Sequence, residues 1–310
     1  MGNPIQFALS GIYTALPTPY RADGTPDVEK LPEILDFHLN RRVTAFCMGG
    51  VTGEYAASSI EERLLLLQEA ARYLDGRADL IAGVGAEHQG QVERLARGAA
   101  DAGAIAVLLP PPYYFQHDSR DMLELLQPVA ARLPLPVLFY NIPQFASELS
   151  LDHVLELLES VPNVIGIKDS SGRSENLPRL RKAKASMPMT FLSGNDELLL
   201  DCLQNSADGA ISGLAGAFPE LIFSLYGEFR SGQVEKAKQL QALVNELIAH
   251  ISDFPPPWAI KLALEARGLD LGGVSWTLGK RLQTKAREFQ SWFQEWLPKC
   301  EITLSQTASR

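Results

Sequence analysis

Along roughly the first 230 residues, short apolar runs rich in β-branched side chains alternate eight times with stretches of helical periodicity. A strand, a helix and a second strand make a βαβ unit with its strands parallel, so this alternation leaves only a few α/β folds open. The eight runs are GIYTALPTP, AFCMGG, LIAGVG, IAVLLPP, PVLFYNIP, VIGIKDSS, MTFLSGND and GAISGLAG, and most end in Gly, Pro, Asn or Ser. Eight units is the count for a (β/α)8 TIM barrel, which keeps its active site at the C-terminal ends of the strands. A length of 310 residues suits one such barrel. The rival doubly wound sheet usually carries G-x-G-x-x-G; the nearest stretch, GVGAEHQG, has its third glycine displaced by two residues, so no dinucleotide site is expected.

The clearest helix follows Ser59, which makes a capping box with Glu62, and Ile60, Leu64, Leu67, Ala71 and Leu74 are expected to form its apolar stripe. Beyond the barrel, residues 1–230, three further helical patterns fill 231–298 without a strand signal. The expected architecture is therefore an α/β barrel with a C-terminal helical extension, ending in a frayed tail over 299–310.

Composition narrows the functional classes. With 46% hydrophobic and 21% charged residues, the chain can bury a large core. Its net charge of -9 argues against a nucleic-acid or anionic-membrane surface, which needs clustered Lys and Arg. The N-terminus MGNPIQFALS lacks a basic region followed by an apolar stretch, and no apolar run reaches the ~18 to 20 residues of a membrane span. Cys47, Cys202 and Cys300 are scattered, without C-x-x-C, which suggests neither disulfides nor a zinc site and fits a reducing cytoplasm. The five histidines, His38, His88, His117, His153 and His250, form no H-E-x-x-H or comparable ligand set, so no metal is expected.

The stretch NVIGIKDSSG poses the chemical question. Its β-branched run reads as a buried strand, yet it ends on Lys168, and burying an unpaired ammonium costs several kcal/mol. Either a carboxylate such as Asp169 or Asp196 pairs with it, or its amine condenses with a ketone to form a Schiff base. Tyr140 in LFYNIP falls one strand away and can shuttle protons, or be a plain core tyrosine. In GGVTGEY, the backbone between Gly49 and Gly53, including Gly50, together with the Thr52 hydroxyl, can hold a carboxylate, or be a plain Gly-rich turn.

GGVTGE, PPPYYF, LFYNIP and VIGIKDSSG, in that order, closely resemble the dihydrodipicolinate synthase and N-acetylneuraminate lyase superfamily of class I aldolases. The resemblance covers nearly the whole chain. It implies a homotetramer built as a dimer of dimers, with no cofactor beyond the lysine imine and a small 2-oxo acid as substrate. By that resemblance Lys168 forms the imine with pyruvate or a pyruvyl group, Tyr140 moves protons, Tyr114 reaches into the neighbouring subunit's site, and Thr52 with Gly53 binds the carboxylate. Ser170, beside the lysine, and Ser212 with Gly213 in ISGLAG are expected to line the pocket. In FLSGNDELLL, Gly194, Asp196 and Glu197 match a segment that sugar-acid aldolases use on substrate hydroxyls, although an Asp and Glu opening a helix also complement its dipole.

Two departures bear on the substrate. Dihydrodipicolinate synthases carry an arginine two residues after the proline of LFYNIP, where this chain has Phe145, so a second substrate carboxylate loses its bidentate partner. Val51 stands where the family commonly has Ser or Thr in a proton relay; Thr52 or a water substitutes, or the chemistry needs less of that relay. The leading expectation is a metal-independent lyase, an imine-forming aldolase acting on a 2-oxo-3-deoxy sugar acid or related 4-hydroxy-2-oxo acid. The alternatives are a 2-oxo-3-deoxy acid dehydratase using the same imine, a 4-hydroxy-tetrahydrodipicolinate synthase, and a barrel that binds a 2-oxo acid without turnover.

Overall fold

In the computed structural model, which describes residues 8–273, 275 and 277–308, the eight apolar runs pair side by side, all parallel, and close into a barrel in sequence order. The strands are β1 (Gly11–Ala15), β2 (Ala45–Met48), β3 (Asp79–Gly83), β4 (Ala106–Leu109), β5 (Val137–Asn141), β6 (Val164–Asp169), β7 (Thr190–Ser193) and β8 (Gly209–Ser212). Helices α1 (Leu31–Leu39), α2 (Ile60–Leu74), α3 (Gln89–Asp101), α4 (Ser119–Ala130), α5 (Leu151–Ser160), α6 (Leu177–Ser186), α7 (Leu199–Gln204) and α8 (Pro219–Arg230) follow them in turn. Three more, α9 (Val234–Ile251), α10 (Pro256–Ala266) and α11 (Lys280–Ala308), make the extension.

The strands read as unbroken apolar runs because both faces are covered. One face joins the helices in an outer core that includes Phe46, Phe139, Ile167 and Phe191, while Tyr13, Cys47, Leu108, Leu138 and Leu192 fill the barrel interior. In β6 the alternation is interrupted: Val137 pairs with Val164 but Leu138 pairs with Gly166, leaving Ile165 as an extra residue. Since one inserted residue inverts the facing of everything after it, this bulge keeps Ile167 in the outer core and turns Lys168 inward.

The capping box on α2 is formed, Ser59 N donating to Glu62 at 2.7 Å and Glu62 N to Ser59 Oγ at 3.2 Å. Its buried face is rotated from the expected stripe, however: Arg63, Leu66, Leu67, Ala70 and Leu74 are buried, whereas Ile60, Leu64 and Ala71 are only partly covered. Arg63 causes the rotation, turning inward to donate to the carbonyls of Gly85 at 2.7 Å and Gly83 at 3.0 Å. The expected tail from residue 299 is instead the continuation of α11 to Ala308. Cys300 is fully buried there, one turn beyond Trp296, whose ring packs edge-on against Phe218 of the barrel. Among the described residues, no helix is long and apolar enough to cross a membrane.

Candidate active site

β5 and β6 are paired so that Tyr140 stands opposite Lys168. The Lys168 Nζ lies 4.0 Å from the centroid of the Tyr140 ring, and both residues are buried, at 6% and 4% exposure. No carboxylate among the described residues pairs with this ammonium. Asp169 accepts instead from Asn141 Nδ2 at 2.9 Å and from the backbone and hydroxyl of Ser171 at 3.1 and 3.0 Å. Asp196 Oδ2 accepts from the Leu214 amide at 2.9 Å. Both acids carry raised pKa values because burial outweighs these donors, and Lys168 acts on Asp196 only as a nearby positive charge. The carboxylate-paired reading of Lys168 therefore fails, and its amine stands free at the floor of a cavity of about 390 Å³.

The cavity is lined by Val51, Thr52, Tyr140, Lys168, Ser170, Gly194 and Asp196, as expected from sequence. Gly194 is there because nothing larger fits: a Cβ on it would lie 2.0 Å from Ser170 Oγ and 2.7 Å from Lys168 Cε. The Ser170 hydroxyl donates to the Gly194 carbonyl at 2.9 Å and reaches the Tyr140 oxygen only loosely, at 3.5 Å. The loop after β2 crosses β3 at close range, with Gly49 at φ 70° and a Cβ on Gly83 only 2.2 Å from the Gly49 carbonyl oxygen. Val51 packs against the apolar interior of the barrel, so no hydroxyl stands at that point.

Five expected residues sit elsewhere. Gly50 and Gly53 shape the turn rather than line the cavity: Gly53 N donates to Gly50 O at 3.0 Å, and Gly53 O accepts from Thr18 at 2.7 Å. Ser212 is 1% exposed behind the wall, where it bonds Asp196 and accepts from the Ala215 amide, whereas Gly213, expected beside it, does line the cavity. Glu197 is exposed because it opens the turn before α7, with its amide capped by Asn195 at 2.9 Å. Tyr114 is 79% exposed at φ 78°, away from the Lys168 cavity of its own chain, whereas Tyr113 turns inward edge-on against Tyr55 at 5.5 Å between ring centroids.

Sequence reasoning missed what anchors the loop after β2. Glu54, left-handed at φ 52°, is buried and takes the ammonium of Lys261 from α10 at 2.5 Å; its other oxygen accepts from the Ser275 amide at 3.2 Å and from the Ser275 hydroxyl. Lys261 also donates to the Gly273 carbonyl at 3.1 Å and lies over the Tyr20 ring. A lysine inside the apolar run AIKLAL was the available signal. The walls from α9, α10 and the turn between them, including Ile251, Phe254 and Ile260, were missed as well. Among the described residues, no cluster of three His, Cys, Asp or Glu is placed to hold a metal ion.

The dihydrodipicolinate synthetase family model matches residues 8–286. A 4-hydroxy-tetrahydrodipicolinate synthase of Bacillus subtilis is 30% identical over 269 residues, covering 86% of this chain and 92% of that protein. Among solved structures, the Ruminococcus gnavus sialic acid aldolase superposes with a TM-score of 0.83 at 25% identity, over 94% of this chain and 98% of that one. A dihydrodipicolinate synthase from Acinetobacter baumannii complexed with pyruvate gives 0.83 at 28% identity, over 92% and 98%. With a free lysine and a tyrosine on adjoining strand ends and a match along nearly its full length, the chain belongs to the dihydrodipicolinate synthetase family, within the dihydrodipicolinate synthase and N-acetylneuraminate lyase superfamily of aldolases.

Proposed function

We propose that the protein is a class I pyruvate-dependent aldolase that makes or cleaves a 4-hydroxy-2-oxo acid through an imine on Lys168. The observation that carries this is the buried, carboxylate-free Lys168 amine beside Tyr140 at the cavity floor. The neutral amine attacks the C2 carbonyl of pyruvate, water leaves, and the imine forms. The imine withdraws electrons, so C3 loses a proton and becomes an enamine. That carbon attacks an aldehyde carbonyl, the C3–C4 bond forms, and the carbonyl electron pair becomes the C4 hydroxyl on taking a proton. Water then hydrolyses the imine and frees Lys168; cleavage runs the same steps in reverse, without an added cofactor. Tyr140 carries the protons and Thr52 holds the pyruvyl carboxylate, a reading supported by their sharing the cavity lining with Lys168.

Phe145 in place of a guanidinium disfavours a second carboxylate on the aldehyde, and with it the reaction for which the 30% identical relatives are named. The same proposal carries a cytoplasmic homotetramer in which the exposed Tyr114 enters a neighbouring subunit's site. Borohydride reduction in the presence of pyruvate, followed by peptide mass mapping, tests the imine. An adduct on Lys168 that disappears in Lys168→Ala is expected; absence of an adduct on the folded protein refutes the proposal.

A further inference from the structure

The cavity above Lys168 is polar at its floor and apolar over most of the rest. Apart from Lys168, Tyr140 and Thr52, its walls are built largely from Ile142 and Phe145 after β5, Ile251 and Phe254 around the end of α9, and Pro256 and Ile260 of α10. Lys168 is the sole cation among the lining residues, and no histidine is present. Each polar side chain interspersed in the wall commits one of its polar atoms to the protein. Gln144 Nε2 donates to the Ser170 carbonyl at 2.9 Å, and Ser252 Oγ donates to the Ala249 carbonyl at 3.1 Å. Asn195 accepts from the Glu197 amide at 2.9 Å, and Asp196 from the Leu214 amide at 2.9 Å.

We infer that the aldehyde half of the substrate is apolar: the group on C4 of the 4-hydroxy-2-oxo acid is a branched alkyl chain or a single aryl ring, not a polyol and not a second carboxylate. This rests on the imine reading above. A polyol entering this wall gives up water on each hydroxyl and meets mostly apolar side chains in return, whereas an apolar group loses nothing by desolvation. A carboxylate there meets Phe145, 49% exposed at the cavity edge, instead of a fork of N–H donors. A volume of about 390 Å³ lies toward the small end of ligand sites and suits a pyruvyl unit with one ring-sized substituent. Asp196 thereby becomes a wall residue that holds the loop after β8 through Leu214, not a ligand for sugar hydroxyls.

The test is condensation with pyruvate, comparing glyceraldehyde with 2-methylbutanal, which has the same shape with each hydroxyl replaced by methyl, and with benzaldehyde. For 2-methylbutanal we expect kcat/KM about 100-fold above that for glyceraldehyde, the discrimination such a wall can supply, and turnover of benzaldehyde. Phe145→Arg, at a partly exposed position where folding tolerates a long side chain, is expected to move the ratio of succinic semialdehyde to 2-methylbutanal by at least tenfold toward the anionic aldehyde. Pyruvate trapping on Lys168 is measured on the same preparations. An adduct with equal or better turnover of glyceraldehyde overturns the apolar substrate and leaves the imine standing. An adduct with no condensation of any of the three aldehydes also overturns it, and no adduct on folded protein overturns both.

Discussion

Replacing Glu54 with Gln removes one charge from a pair that the fold has taken out of water. The side chains of Glu54 and Lys261 are 4% and 1% exposed and meet at 2.5 Å. In Glu54→Gln the ammonium keeps only the Gly273 carbonyl, the Tyr20 ring and a neutral amide oxygen. The new NH2 group then faces the Ser275 N–H, donor against donor, while the Ser275 hydroxyl has to turn round to accept from it. Removing one partner of a buried pair costs about 3–5 kcal/mol. At about 2.1 cal/mol/K per residue, a chain of this length has an unfolding entropy near 650 cal/mol/K, so the midpoint should fall by about 5–8 °C. Lys261→Met strands the carboxylate instead and should cost a similar amount. In Glu54→Gln with Lys261→Met neither charge remains, so the loss should be well below the sum of the two, by about 1–4 kcal/mol. The assay is thermal unfolding at one fixed scan rate, since a protein of this size can unfold irreversibly. Because Glu54 follows Thr52 by two residues, the single variants should also raise the KM for pyruvate more than they lower kcat. Additive losses in the double variant would falsify the idea that this pair is a coupled anchor for the loop.

Other outcomes follow from the same geometry. Gly194→Ala should fold, yet lose most pyruvate trapping, because its methyl occupies the space of Lys168 Cε and Ser170 Oγ; wild-type labelling would show that the lysine does not need that space. Val51→Thr puts a hydroxyl back at the relay position with nearly unchanged volume, and kcat should rise several-fold at constant Lys168 labelling; an unchanged kcat means that protons already move by another route. The raised pKa of Asp196 means that the folded state binds its proton more tightly than the unfolded chain does, so its contribution to stability is greatest below the ordinary value of 3.8 and is lost as pH rises through the raised one. Asp196→Asn should therefore unfold at a midpoint equal to or above wild type at pH 7, with the difference shrinking toward pH 4. A variant that is less stable at pH 7 but not at pH 4 contradicts the burial argument.

What the sequence disclosed and what it hid divide along the range of the interactions. The eight strands were legible because each is a short apolar run, most of them closed by Gly, Pro, Asn or Ser, and all eight occur in the barrel. Lys168 was legible because an ammonium at the end of such a run needs either a carboxylate partner or a chemical role. Its inward facing was not, since it depends on the extra Ile165, and strict alternation from Val164 would have turned Lys168 toward the helices. The Glu54 and Lys261 pair joins residues 207 positions apart, which no local pattern reports.

Helix faces were harder still. The run Leu64–Leu67 fits more than one stripe, and the choice was made by Arg63 reaching two strand-end carbonyls. The same ambiguity concealed the role of the extension. Ile251 and Ile260 read as ordinary core positions of appended helices, because an apolar side chain carries the same periodic signal whether it meets a neighbouring helix or an open cavity. Only the closed barrel shows that these helices form part of the wall above Lys168. Lys168 and Tyr140 thus lie at the ends of barrel strands, while much of the cavity wall above them lies in a segment whose sequence looks merely structural.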